Sequence, residues 1–231
     1  MSELHKGHRD RMKNLCLTDG MKNLPDHNKL EIILFYAIPR IDTNEIAHSL
    51  LNHFGTFSAV LDAPYDELIK IKGITKNAAV LLKLIPQMTA SYMEDQVKNV
   101  THLDNPDKVG EFLIPKFIGH TNEVVYVLSL STQKRVISCR LVFEGSISEV
   151  SFPVRRIVEV CIQTNAHSVI IAHNHPGGLP LPSRDDIIAA HQITKALSII
   201  GVNVDDHVIV AGESYNSMGS CSSQMNDISY I

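Results

Sequence analysis

No Cys-x-x-C pair occurs in this chain. Its four cysteines, Cys16, Cys139, Cys161 and Cys221, stand far apart, which argues against a zinc ribbon, a thioredoxin-like redox site or a disulfide framework. A basic excess is missing too. There are 21 Lys and Arg against 25 Asp and Glu, for a net charge of −4, and neither half of the chain has more basic than acidic residues. Overall charge therefore makes no case for nucleic-acid binding. No uninterrupted apolar stretch approaches the ~20 residues of a membrane helix, and the polar, charged start lacks the apolar core of a signal peptide. These absences predict a cytoplasmic protein with no membrane association. Repeats and low-complexity segments are also lacking. What is present is ordinary: 231 residues, 44% of them hydrophobic, enough for one large or two small domains with real cores.

Along the chain, residues 1–98 read as helices throughout. Asp26 opens an apolar pattern of helical spacing that ends near Pro39, Asp42-Thr43-Asn44 offers caps for a helix over 45–54, and Gly55 stops it. A further helix is predicted over 77–93, and the short connections suggest a compact bundle. The stretch between Met93 and Pro106 is the candidate linker. From 105 to 231 the pattern changes. A helix over 109–118 is followed by β-branched runs at 123–130 and 135–142, a helix over 154–164, a strand over 168–173, a helix over 184–200 and a last strand over 207–210. Strands interleaved with helices predict an α/β layer fold with a mixed sheet and flanking helices, preceded by a small all-α domain.

The chemistry concentrates at His173-Asn174-His175-Pro176, where the buried-strand pattern of Ser168-Val169-Ile170-Ile171-Ala172 runs into a Pro/Gly-rich loop. Alternation along a strand puts residues i and i+2 on one side, so both imidazoles can face one point. Asp186, in the first turn of the helix predicted to begin after Ser183, is placed to join them. Two nitrogens and a carboxylate make a catalytic-type zinc set that leaves a position for water. The plainer alternative is that Ser183 and Asp186 form a helix capping box. The two are compatible, since Ser183 can cap the helix and still present its hydroxyl to a substrate. A hydrolase of this type also needs a base. Glu123 is the candidate, because a carboxylate at a strand end can reach the end of a neighbouring strand. By position alone, it reads as an ordinary solvated edge glutamate. His207, after two acids near the last strand, is either a partner for a metal-bound histidine, a spare ligand or a structural histidine.

The spacing His173-x-His175, seven residues to Ser183 and two more to Asp186 matches the H-x-H-x7-S-x2-D pattern of the JAMM (JAB1/MPN+) metalloproteases. The wider context, including Gly201-Val202-Asn203-Val204-Asp205-Asp206-His207-Val208-Ile209-Val210, resembles the bacterial RadC family. Gly7-His8-Arg9, Tyr36-Ala37-Ile38-Pro39-Arg40, Asp42-Thr43-Asn44 and Phe54-Gly55 are similar to stretches preceding the metal domain in that family. The resemblance implies a JAB1/MPN-like C-terminal domain and a Zn2+ ion held by His173, His175 and Asp186. It also implies Glu123 as general base, which reverses the reading from position alone, and Ser183 helping to stabilise the tetrahedral oxyanion. The bond cleaved is then an amide or isopeptide in a protein or peptide substrate, and the family's name suggests DNA repair or metabolism. Two departures stand out. Val154-Arg155-Arg156 replaces a common Pro-Arg-Glu, and Gly177 replaces a usual serine; neither removes a proposed ligand.

Residues 66–80 resemble a helix-hairpin-helix, whose turn offers backbone amides to a phosphate, with Lys70, Lys72, Gly73 and Lys76 as candidate DNA contacts. Thr75 stands where that motif has its second glycine, and a bundle turn with solvated lysines is the alternative. Besides the hydrolase, two other functions fit the sequence: a metal-dependent nuclease, and a non-enzymatic DNA-binding or partner-binding module. A TIM-barrel amidohydrolase, which also uses H-x-H, is excluded because that fold needs roughly 250 residues.

Overall fold

The computed structural model describes residues 7–96, 102–145 and 153–219. The chain divides into two compact units, Met1–Thr89 and Ala90–Ile231. The first holds α1 (His8–Asp19), α2 (Asp26–Ala37), α3 (Asn44–Phe54), α4 (Phe57–Asp62), α5 (Tyr65–Leu68) and most of α6 (Lys76–Gln96), and the division falls inside α6. The predicted stop of α3 is Gly55, at φ 92, and the Thr56 hydroxyl caps α4 by accepting from the Ala59 amide at 3.2 Å. Leu30, Leu34, Leu50, Val60, Leu68 and Leu82 form the heart of this unit's core.

A polar knot ties its first three helices. Glu31 is fully buried, with one carboxylate oxygen 2.9 Å from His8 Nε2 and the other accepting from the side-chain amides of Asn28 (3.1 Å) and Asn44 (3.3 Å). Arg9 donates to the carbonyls of Phe35, Ile38 and Ile41, which supplies the partners that the last turn of a helix lacks. The family-like stretches around His8-Arg9 and Asp42-Thr43-Asn44 thus have a packing reason. We expect Arg9→Ala to lower the stability of this unit by about 1–2 kcal/mol, because it leaves the partly buried carbonyls of Phe35 and Ile38 without this donor, and Arg9→Lys to recover only part of the loss in a denaturant titration.

The second unit is built on a five-stranded sheet. After α7 (Pro106–Phe117) come β1 (Glu123–Leu130), β2 (Val136–Gly145), α8 (Val154–Thr164), β3 (Ser168–Asn174), α9 (Arg184–Ile199), β4 (Asn203–Ala211) and β5 (Ser214–Ser217). The strand order is β2-β1-β3-β4-β5, antiparallel except for the β3–β4 pair. The β1–β2 ladder shifts register twice, at Val125/Tyr126 and at Ser129/Leu130. Alternation sorts the two faces. Val125, Val127, Val169 and Ile171 pack against Ile157 and Val160 of α8 and Ala189, Ile193 and Leu197 of α9. Val124, Leu128, Ile170, Ala172, Val208 and Val210 pack with Val109, Leu113 and Phe117 of α7. This mixed sheet with helices on both faces is the fold expected from the sequence. Among the described residues no helix is long and apolar enough to cross a membrane.

Element ends differ where local chemistry outweighs apolar pattern. The start of α7 precedes 109 because Asn105 accepts from the Lys108 amide at 2.9 Å and Pro106 takes the first helical position. Helix α6 continues to Gln96, into the candidate linker, and His102 forms an isolated bridge with Arg135. The start of β4 precedes 207, through polar residues whose side chains are paired. Asp205 binds Lys134 (2.6 Å) and Ser168, while Asp206 accepts from Ser217 and the Gly219 amide.

Gly110 of α7 lies directly against Tyr215 of β5. A Cβ there would sit 2.2 Å from Tyr215 Cε1 and 2.5 Å from Cζ. Alanine gains about 0.8–1.0 kcal/mol of helix propensity over glycine, but displacing the ring costs about 1–3 kcal/mol. Gly110→Ala is therefore expected to lower the thermal midpoint, and the same change in a Tyr215→Ala background to raise it. Equal effects in the two backgrounds, measured by calorimetry, would dismiss the contact.

Candidate metal centre

Strand β3 is buried along its whole length, and it delivers His173 to the inner end of the site and His175 just past its last residue. The β1–β3 register pairs Val125 with His173. Glu123 stands two residues before Val125 on β1, so strand alternation puts it on the sheet face of Val125 and His173. Asp186 comes from the first turn of α9, whose capping box is complete. The Ser183 hydroxyl accepts from the Asp186 amide at 3.1 Å, and the Ser183 amide and hydroxyl donate to Asp186 Oδ2 at 2.8 and 2.6 Å. The proton of the Ser183 hydroxyl is thus directed at Asp186.

The three side chains expected to meet do meet. His173 Nε2 lies 3.0 Å from His175 Nε2 and 3.1 Å from Asp186 Oδ1, and His175 Nε2 lies 3.4 Å from Asp186 Oδ2. Bonds of about 2.0–2.1 Å in a tetrahedral set separate neighbouring ligand atoms by about 3.3 Å. The triad therefore has the dimensions of a first-row divalent site. It could hold a metal ion, and it is the one such group among the described residues.

Protonation points the same way. His175 Nδ1 lies 3.1 Å from the Leu179 carbonyl, which can only accept, so the neutral ring turns a bare Nε2 toward Asp186. His173 Nδ1 lies 2.9 Å from His207 Nε2. Burial pushes the His207 imidazole down to about 3, so it is neutral at physiological pH. When His207 accepts from His173, the second Nε2 is bare as well. Burial raises the Asp186 carboxyl, but positive charge on its His173 side and two hydrogen bonds from Ser183 outweigh it and hold the group well below the usual carboxylate range. Two lone pairs and an ionised carboxylate converging at van der Waals distance favour a cation between them.

Two contributors escaped the sequence reading. Leu179 acts through its carbonyl, which no side-chain pattern can reveal. Asn174, between the two histidines, accepts from the Val124 amide at 2.7 Å and donates to the Asn122 carbonyl at 3.1 Å; a carboxamide as the last residue of a buried strand was the available signal. Of the departures, Arg155 and Arg156 both hold Glu159 at 3.1 Å, and Gly177 occupies a left-handed φ of 68 that glycine adopts more easily than serine.

The helix-hairpin-helix-like residues lie in the first unit. Gly73 has φ 94, and a Cβ there would sit 2.8 Å from Ile46 Cδ1, so packing against α3 accounts for this glycine. Thr75 is spared a positive φ and instead caps α6, its hydroxyl accepting from the Ala78 amide at 3.1 Å. Lys70 pairs with Glu67 at 2.6 Å, while Lys72 and Lys76 are exposed.

The triad geometry predicts that divalent zinc, cobalt or nickel stabilises the protein. Metal at about 100 times its dissociation constant adds about 2.7 kcal/mol, read as a rise in thermal midpoint. His173→Ala and Asp186→Ala are expected to abolish the rise. His207→Ala is expected to keep it at about 10–100-fold higher metal concentration, as for other residues that orient a ligand.

Residues 103–224 match the family model for the RadC-like JAB domain. The chain is 33% identical over 220 residues to UPF0758 protein FN0909 of Fusobacterium nucleatum, covering 92% of this chain and 95% of that one. It is 31% identical over 204 residues to UPF0758 protein PSHAa2643 of Pseudoalteromonas translucida, covering 88% of this chain and 91% of that one. Neither relative's name states an activity. The matched region contains all three members of the triad and all five strands of the sheet, a JAMM-type metal-dependent hydrolase fold. The chain belongs to the RadC family.

Proposed function

We propose that this protein is a zinc-dependent hydrolase that cleaves a peptide or isopeptide bond, with His173, His175 and Asp186 as the metal ligands and Glu123 as the general base. The observation that carries the reading is the convergence of His173 Nε2, His175 Nε2 and an Asp186 oxygen within 4.8 Å of one another at the end of β3. Three protein ligands make a catalytic rather than a structural zinc set. A zinc ion there supplies Lewis acidity, making a water more acidic and polarising a substrate carbonyl.

The chain's own residues do the rest. Leu179 and His207 hold the imidazoles by their Nδ1 atoms, so that both Nε2 lone pairs face the same point. Ser183 keeps Asp186 ionised and aimed, through two hydrogen bonds to Oδ2 that leave Oδ1 for the ligand role. Glu123, at the head of β1, accepts the proton of the attacking water and returns it to the departing amine. Should the Ser183 hydroxyl rotate from Asp186, it can donate to the oxyanion developing on the substrate carbonyl.

The alternative of phosphodiester cleavage has less in its favour. Phosphoryl chemistry frequently uses a second metal about 3.5–4 Å from the first, and the described residues offer a single group of ligands. In the first unit, Gly73 and Thr75 are accounted for by packing and capping, so the hairpin adds no observation that favours DNA.

The test pairs metal analysis with a screen of peptide and isopeptide substrates. Wild type should carry one zinc per chain and hydrolyse an amide; Glu123→Gln should keep the zinc and lose about 10²–10⁴-fold in kcat. Activity surviving that change refutes the base assignment, and zinc-dependent cleavage of phosphodiesters but of no amide refutes the substrate class.

A further inference from the structure

Asn174 joins two strands by its side chain at the place where their backbones part. The last β1–β3 pair is Val125 with His173, and beyond it the backbone of β3 stays with β4, the His175 amide donating to the Val210 carbonyl at 2.9 Å. The β1 side of the ladder is continued by the Asn174 carboxamide. Its oxygen accepts from the Val124 amide at 2.7 Å, and its nitrogen donates to the Asn122 carbonyl at 3.1 Å. The orientation is unambiguous, because a flipped amide would set donor against donor and acceptor against acceptor. Asn174 is 5% exposed and Val124 is fully buried, so water does not compete for the inner of these bonds.

The Asn122 carbonyl belongs to the peptide group before Glu123, and the Val124 amide to the one after it. One side chain therefore grips the backbone on both sides of Glu123, and it belongs to the residue between the two histidines in sequence. On its other edge β1 is paired with β2 at Glu123 and Val124, so Asn174 supplies the hold on the β3 side, and a misplacement of about 1 Å can cost about 100-fold in rate.

We propose that Asn174 is a positioning residue for Glu123: by holding both peptide groups that flank the glutamate, it fixes the carboxylate relative to the His-x-His pair. This deepens the function proposed above and rests on Glu123 being the base. The Asn174 carboxamide is bound to the backbone that flanks Glu123 and not to a triad side chain, so its effect is expected to pass through Glu123. Its removal should leave metal binding in place while changing what the metal's open side faces.

Cobalt(II) serves as the probe, because its visible bands report the metal's surroundings without a substrate. Wild type, Glu123→Gln, Asn174→Ala, Asn174→Asp and the Glu123→Gln/Asn174→Ala double variant are loaded with cobalt and compared. Asn174→Asp retains the acceptor for Val124 but sets a carboxylate against the Asn122 carbonyl, and so provides a second test if the alanine variant folds poorly. A residue that orients a ligand costs about 10–100-fold in metal affinity when lost, whereas both Asn174 variants are expected to bind cobalt within about threefold of wild type. Their spectra should depart from wild type in the direction that Glu123→Gln does, and the double variant should depart no further than Glu123→Gln alone. Wild-type spectra in both Asn174 variants, beside an altered Glu123→Gln, overturn the positioning role. So does loss of cobalt from both, which would assign Asn174 to the ligand shell. A Glu123→Gln protein that matches wild type in both spectrum and hydrolysis overturns the base assignment instead, and the positioning role with it.

Discussion

The carboxylate of Asp186 closes the first turn of α9 and also faces the two histidines. Both tasks depend on the same two hydrogen bonds from Ser183. An ionised carboxylate that is 4% exposed must find partners to offset its lost hydration, and here the helix terminus provides them. Because α9 is anchored on the sheet by Ala189, Ile193 and Leu197, the direction of the acid is set by core packing as much as by its own bonds. A cap that is also a member of the triad couples the folding of a helix to the assembly of the site.

The partner of that helix is β3, where the chain passes from a dry interior to a polar site within two residues. Val169 and Ile171 go to one face and Ile170 and Ala172 to the other, leaving no polar side chain between Ser168 and His173. Strand alternation then delivers His173 and His175 to one side without any special backbone geometry. The loop that follows needs a left-handed residue, which Gly177 supplies. In the helical unit the corresponding organiser is Glu31, a buried carboxyl group whose oxygens are satisfied by two amides and an imidazole.

How much of this was legible follows from what each feature depends on. The triad could be read from the chain because its spacing, histidine to histidine to capping serine to acid, is the spacing of a strand end, a loop and a helix start. Four of the five strands and helices α2, α3 and α6 to α9 were legible from apolar period, although their ends were not, and α1, α4 and α5 were not singled out. Asn105 and Pro106 carry a helix-start signal with little hydrophobicity behind it. Asp205 and Asp206 read as loop residues, yet they lie in β4 because Lys134, Ser168 and Ser217 bind them from distant parts of the sequence. Strand β5, four residues of Ser-Tyr-Asn-Ser, has no apolar alternation to find and forms by pairing with β4. Asn174 was hidden for a related reason, since its partners are peptide groups about fifty positions away, and backbone leaves no trace in a residue pattern.

The two register shifts between β1 and β2 have a consequence for how copies of this protein coexist. Strand β2 is outermost among the described strands and carries half-exposed Ile137 and Leu141, the ingredients of a sticky margin. Bulges sharpen local twist and bend the bulged ladder. A margin so warped, with exposed Arg140 and Glu144 along it, is a poorer template for an added strand than a flat, uncharged edge.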